Sequence, residues 1–92
     1  MTAFMLMHFE IDDFDAWKQV FDSDPAGRKG VAKGHQIYRG VDDPRQVFVA
    51  TEYDSVEDAN GVRERLLASG VLNDMTTKTE PTVVEVADSA RY

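Results

Sequence analysis

The chain has 92 residues, of which 17 are acidic and 10 basic, giving a net charge of -7, and it contains no cysteine. That length holds one domain, 1–92, and the composition excludes disulfides, thiolate metal sites and cysteine nucleophiles; the negative field also disfavours nucleic acid and anionic membrane surfaces as partners. A domain this short buries only about 60% of the surface its unfolded chain exposes, so pairing with a second copy is a natural source of stability.

The opening stretch "MTAFMLMHFE" has no basic region, and His8 and Glu10 interrupt its apolar run. It is therefore expected to be neither a leader nor a membrane span, and cytoplasm is the expected compartment. Phe4 to Phe9 reads as a strand. In "DDFDAWKQVFD", Phe14, Trp17, Val20 and Phe21 recur at helical spacing, Asp12 or Asp13 can cap the first turn, and Asp24-Pro25 stops the helix. The basic, glycine-containing connection from Ala26 to Gly34 is expected to be mobile.

His35 to Val41 and Gln46 to Tyr53 form a hairpin across "DDPR", whose aspartates and proline suit a tight turn. Ser55 is placed as the N-cap of a second helix lined by Val56, Ala59, Val62, Leu66 and Leu67 on one face; Ser69-Gly70 ends it before a short turn around Val71 to Met75. A last strand is expected over Thr82 to Ala87, with a frayed tail beyond Asp88.

Strand, helix, strand, strand, helix, strand is the split βαβ pattern. Right-handed crossovers then predict an α+β, ferredoxin-like βαββαβ fold with a four-stranded antiparallel sheet and two helices on one face. The first strand alternates Phe4, Leu6 and His8 with Met5, Met7 and Phe9, so the uncovered side exposes apolar surface in a monomer. Face-to-face pairing of two sheets, giving a homodimer, removes it.

The segments "DFDAWKQVFD", Arg28, "GH" at 34 and 35, "DDP" at 42 to 44 and "EYDSVEDA" at 52 to 59 together resemble the dimeric α/β-barrel superfamily. Within it the chain is most similar to small actinobacterial proteins labelled cyclase, akin to antibiotic-biosynthesis monooxygenases. The resemblance spans nearly the whole chain. It implies a homodimer whose sheets close a barrel, a pocket in each subunit between helices and sheet, and chemistry without metal or flavin.

A turn centred on Asp43 and Pro44 predicts that His35 meets Glu52 within a residue or two, where a carboxylate would raise the imidazole pKa as a general base requires. Arg28 reaches the same end and can stabilise a developing enolate. The competing reading is an exposed cross-strand ion pair with Arg28 in solvent. His8 matches a histidine in the superfamily's first strand and lies toward the other end of the sheet, serving the pocket or filling a polar niche. Trp17 is expected in the core, where it can also wall the pocket, and Tyr38 and Tyr53 can offer hydroxyls to a bound carbonyl or simply pack. A helix cap and a turn account for Asp12-Asp13 and Asp42-Asp43 without a metal, and no cofactor is expected. The leading expectation is a cofactor-independent cyclase, monooxygenase or isomerase acting on a small, apolar, enolisable or aromatic metabolite of secondary metabolism. The alternative is a non-catalytic binding or structural homodimer. Haem degradation fits poorly, because Val56 to Leu67 contains no histidine.

Overall fold

The computed structural model describes residues 2–92. Strand β1 (Ala3–Glu10) is followed by helix α1 (Phe14–Asp22), β2 (Gly34–Arg39), β3 (Gln46–Tyr53), helix α2 (Val56–Ser69) and β4 (Thr76–Glu85), with 3₁₀ turns at Arg28–Gly30 and Val71–Asp74. The strands form one antiparallel sheet in the order β2-β3-β1-β4. This is the expected ferredoxin-like α+β architecture. The molecule measures 36 × 35 × 18 Å, and the thin dimension has room for one helix layer on one sheet.

Both helices begin where capping side chains satisfy free backbone donors. Asp13 accepts a hydrogen bond from the Ala16 amide and Ser55 from that of Asp58. Gly70 ends α2 in the left-handed conformation at φ 74°, where a side chain would be strained. Alternation along the strands sends Ala3, Met5, Met7, Phe9, Val47, Val49, Thr51 and Tyr53 into the helix layer, where all are buried. The small residues of α2, with Ala59 and Val62 fully buried, bring its backbone close to β1, β3 and β4. α1 instead stands off from the sheet on Phe14, Trp17 and Phe21, whose rings pack at 5.7 and 5.4 Å centroid separations.

Four local expectations need correction. β4 begins at Thr76 rather than Thr82 and ends at Glu85 rather than Ala87. Threonines favour the pleated backbone, and an edge strand tolerates Pro81 because one side of it has no ladder to complete. β2 stops at Arg39, since Gly40 opens the turn: a Cβ there would collide with the Asp43 carbonyl oxygen. Leu67 lies outside the α2 core face and is exposed.

The Ala26 to Gly34 connection is tied down rather than loose. Asp24, itself left-handed at φ 61°, accepts from the Arg28 amide (2.8 Å) and the Lys29 amide (3.2 Å). Arg65 Nε donates to the Ala26 carbonyl at 2.9 Å, and the Lys33 amide to the Glu52 carbonyl at 2.7 Å. The residues after β4 have no regular secondary structure.

Candidate functional site

Because α1 stands off, a cavity of about 50 Å³ remains between helices and sheet, lined by residues of α1, α2, β1, β3 and both 3₁₀ segments. Met5, Met7, Trp17, Phe21 and Leu66 make its wall largely apolar, and Arg28, Asp24 and Thr51 supply polar groups. Arg28 is only 7% exposed. Its guanidinium lies over the Phe21 ring, 3.6 Å from the centroid, and Nη1 donates to the Phe21 carbonyl at 2.8 Å and to Asp24 Oδ1 at 3.1 Å. A buried arginine needs such partners to offset its lost hydration.

Thr51 contributes a hydroxyl that donates to the Tyr53 phenol oxygen at 3.1 Å. Tyr53 is fully buried behind Thr51, does not itself line the cavity, and has its pKa raised, chiefly by burial. It therefore stays a neutral phenol and braces Thr51.

The structure divides the sequence-derived candidates between two faces. The Gly40 amide donates to the Gln46 carbonyl at 2.8 Å, closing the hairpin one residue earlier than a turn centred between Asp43 and Pro44 requires. His35 consequently pairs with Thr51, and Glu52 with Gly34. Residues directly opposite share a face and successive residues alternate, so His35 faces the helices and Glu52 faces away. The expected His35-Glu52 pair does not form.

His35 lies beside the cavity without lining it, its ring edge-to-face with Phe21 at 5.0 Å. Although the residue is largely exposed, its pKa is lowered rather than raised, first by partial desolvation of the ring and then by the charges of Arg28 and Lys18. A depressed imidazole is neutral at neutral pH and free to accept a proton.

His8 and Tyr38 share the open face with Glu52, away from the cavity. The His8 ring stacks on Phe48 at 4.1 Å and its Nε2 pairs with Gln46 Oε1 at 2.7 Å, while the Tyr38 hydroxyl donates to Gln36. Leu6 and Phe48, each 41% exposed, and Tyr38 at 51% form an apolar band on this face. The two histidines point to opposite sides of the sheet, and among the described residues no three His, Asp or Glu side chains converge on a possible metal position. No described helix is long and apolar enough to cross a membrane.

Sequence reasoning brought Arg28 and Trp17 to the cavity but missed Phe21, Asp24 and Thr51 as its neighbours. For Asp24 a signal existed: an aspartate before proline and four residues ahead of an arginine can hold the turn and the guanidinium together.

No family model matches the chain, and no curated protein does. Solved structures match it along almost its full length. Rv0793 from Mycobacterium tuberculosis aligns with TM-score 0.69 at 16% identity, covering 99% of this chain and 100% of that one. A mutant form of SnoaB, a cofactor-independent oxygenase from Streptomyces nogalater, aligns with TM-score 0.73 at 11% identity, covering 96% and 95%. A protein assigned as an antibiotic biosynthesis monooxygenase from Nitrosomonas europaea aligns with TM-score 0.64 at 17% identity, covering 90% and 86%. At these identities the likeness speaks for the backbone: the chain has the ferredoxin-like fold shared by structures of antibiotic biosynthesis monooxygenase type, a cofactor-independent oxygenase among them.

Proposed function

We propose that the chain is a cofactor-independent enzyme of cyclase, monooxygenase or isomerase type that acts on a small, apolar, enolisable or aromatic molecule in the cavity between helices and sheet. The observation that carries this reading is a buried arginine on the wall of a largely apolar cavity, with a neutral imidazole one ring away across Phe21. Removing a proton from an enol or phenol leaves an electron-rich anion. Its carbon then either forms a bond to dioxygen, which takes up the electron pair, or rearranges with no external oxidant. The protein supplies a base, His35, a charge stabiliser, Arg28, and a site sheltered from water.

For His35 to reach a substrate, Phe21 has to swing aside or the substrate has to displace it. The apolar band of Leu6, Phe48 and Tyr38 supports a homodimer paired through its open sheet faces, which places His8 and Glu52 at the contact rather than in the pocket. The cytoplasm is the compartment proposed.

The small size of the cavity, against about 300 Å³ or more for typical ligand pockets, favours a second reading, a non-catalytic binding or structural dimer in which Met, Phe and Trp side chains largely fill the space. Incubating the protein with phenols and polycyclic enols, with and without dioxygen, separates the two. The enzyme reading expects a product that is lost in Arg28→Gln and His35→Gln. Binding with no product from any of these compounds contradicts it.

A further inference from the structure

Building on the cavity reading above, the chemistry of its one cation narrows the ligand class. The protein hydrogen bonds of the Arg28 side chain all use Nη1; Nε and Nη2 have no protein partner among the described residues. The one fully buried side-chain polar atom without a partner there is Thr77 Oγ1, so these two nitrogens open onto accessible space instead of being sealed in apolar packing. Adjacent Nε and Nη2 donors form the fork that matches two oxygens of a carboxylate or brackets one phenolate oxygen.

Asp24 does not use up this capacity. Its Oδ1 is shared between the Arg28 amide and Nη1, and its Oδ2 accepts from the Lys29 amide. The carboxylate holds the guanidinium by one nitrogen and leaves the other edge free.

The remaining walls fit a flat apolar body. Met5, Met7 and Met75 all line the cavity, and their unbranched thioethers can repack to admit a ring that the present volume of about 50 Å³ does not hold. Trp17 and Phe21, stacked at 5.4 Å, offer aromatic surface next to Arg28.

We infer that this site selects a planar, one- or two-ring aromatic ligand that carries a carboxylate when it binds, held by Nε and Nη2 of Arg28, so that the proton His35 removes comes from a separate enol or phenol group. A neutral ligand of the same shape, such as a carboxamide, offers those donors one uncharged carbonyl oxygen in place of two carboxylate oxygens. Arg28 then acts on the bound reactant from the outset, and Asp24 is a positioning residue.

Trp17 is the single tryptophan of the chain and lines the cavity, so its indole N–H gives one unambiguous NMR signal. The test titrates the ¹⁵N-labelled protein with 2-naphthoate and, separately, with the neutral 2-naphthamide. The expected result is that naphthoate binds about tenfold tighter or more, and that in Arg28→Gln the two affinities come within about twofold of each other. Equal affinity of the two probes for the unmodified protein overturns the anion assignment and leaves the cavity standing as a ligand site. A preference that survives in Arg28→Gln overturns the role of Arg28. If neither probe moves the Trp17 signal, the cavity reading itself falls, and this inference with it. The comparison in the unmodified protein decides whether an anion is selected even if Arg28→Gln fails to fold, and Arg28→Lys, which keeps the charge but not the fork, then tests the arginine: an undiminished preference there overturns the role of the fork.

Discussion

Strands β1 and β3 supply both sides of the sheet with alternate residues, and the two sides have opposite characters. On the helix side Met5, Met7, Val49 and Thr51 are buried, and α1 leaves a cavity there with Arg28 in its wall. On the open side Leu6 and Phe48 remain exposed, His8 rests on Phe48, and no described element lies above them. An apolar residue has a different meaning on each side: it closes a core and shapes a pocket on one, and on the other it waits for a partner surface. The two histidines divide in the same way, which is why one cation-lined cavity and one apolar band are better understood as separate devices than as parts of a single site.

The largest contrast lies in stability. Trp17→Ala removes the central ring of the α1 packing and is expected to cost about 3 to 5 kcal/mol in urea unfolding, whereas Phe48→Ala should cost less than about 1 kcal/mol at concentrations where the chain is monomeric. Similar losses at both positions would erase the distinction between the faces. Next comes association. Light scattering at micromolar concentration should give twice the 10.3 kDa chain mass, and Phe48→Glu should raise the dimer dissociation constant about 100-fold or more by burying a charge in the contact. An unchanged dimer in that variant would move the interface elsewhere.

A smaller effect is expected at the hinge of the cavity. Asp24→Ala loses the acceptor for two amides and Nη1 and puts a methyl side chain at φ 61°, for a loss of about 2 kcal/mol. Asp24→Asn, which tolerates that backbone and keeps one oxygen, should lose less; a full loss there would show that the charge, rather than the turn, holds the segment.

The smallest effect concerns pH. The His35 pKa is lowered from 6.5 in the fold, so the unfolded chain takes up the proton first. Stability should therefore decline as pH falls through 6.5 and level off below the folded value, by a modest amount because the ring is exposed. His35→Gln should flatten this part of the profile; an unchanged profile would assign the decline to other groups.

What could be read from the sequence depended on what each feature required. The apolar spacing of Phe14, Trp17, Val20 and Phe21, the Ser55 cap and the Asp42 to Arg45 turn are local patterns, and the order of elements follows from them. The site depended on register, where a single residue decides the face. A turn centred half a residue away from its real position turned Glu52 from a neighbour of Gly34 into a supposed partner of His35. β4 was obscured for another reason: "TTKTEP" has the polarity and proline of a loop, and only its place at a sheet edge against β1 makes it a strand. The role of Asp24 lay in a backbone conformation that composition does not reveal.

The central claim is that ligand chemistry belongs to the helix side of the sheet and partner contact to the open side. One NMR titration of 2-naphthoate into protein carrying ¹³C-methyl methionine and labelled histidine rings tests it directly, because Met5, Met7 and Met75 line the cavity while His8 stacks on the open face. Saturable shifts of those three methionine methyls are expected, with the His8 ring unmoved. Shifts at His8 with the three methyls unchanged would place binding on the open face and contradict the claim.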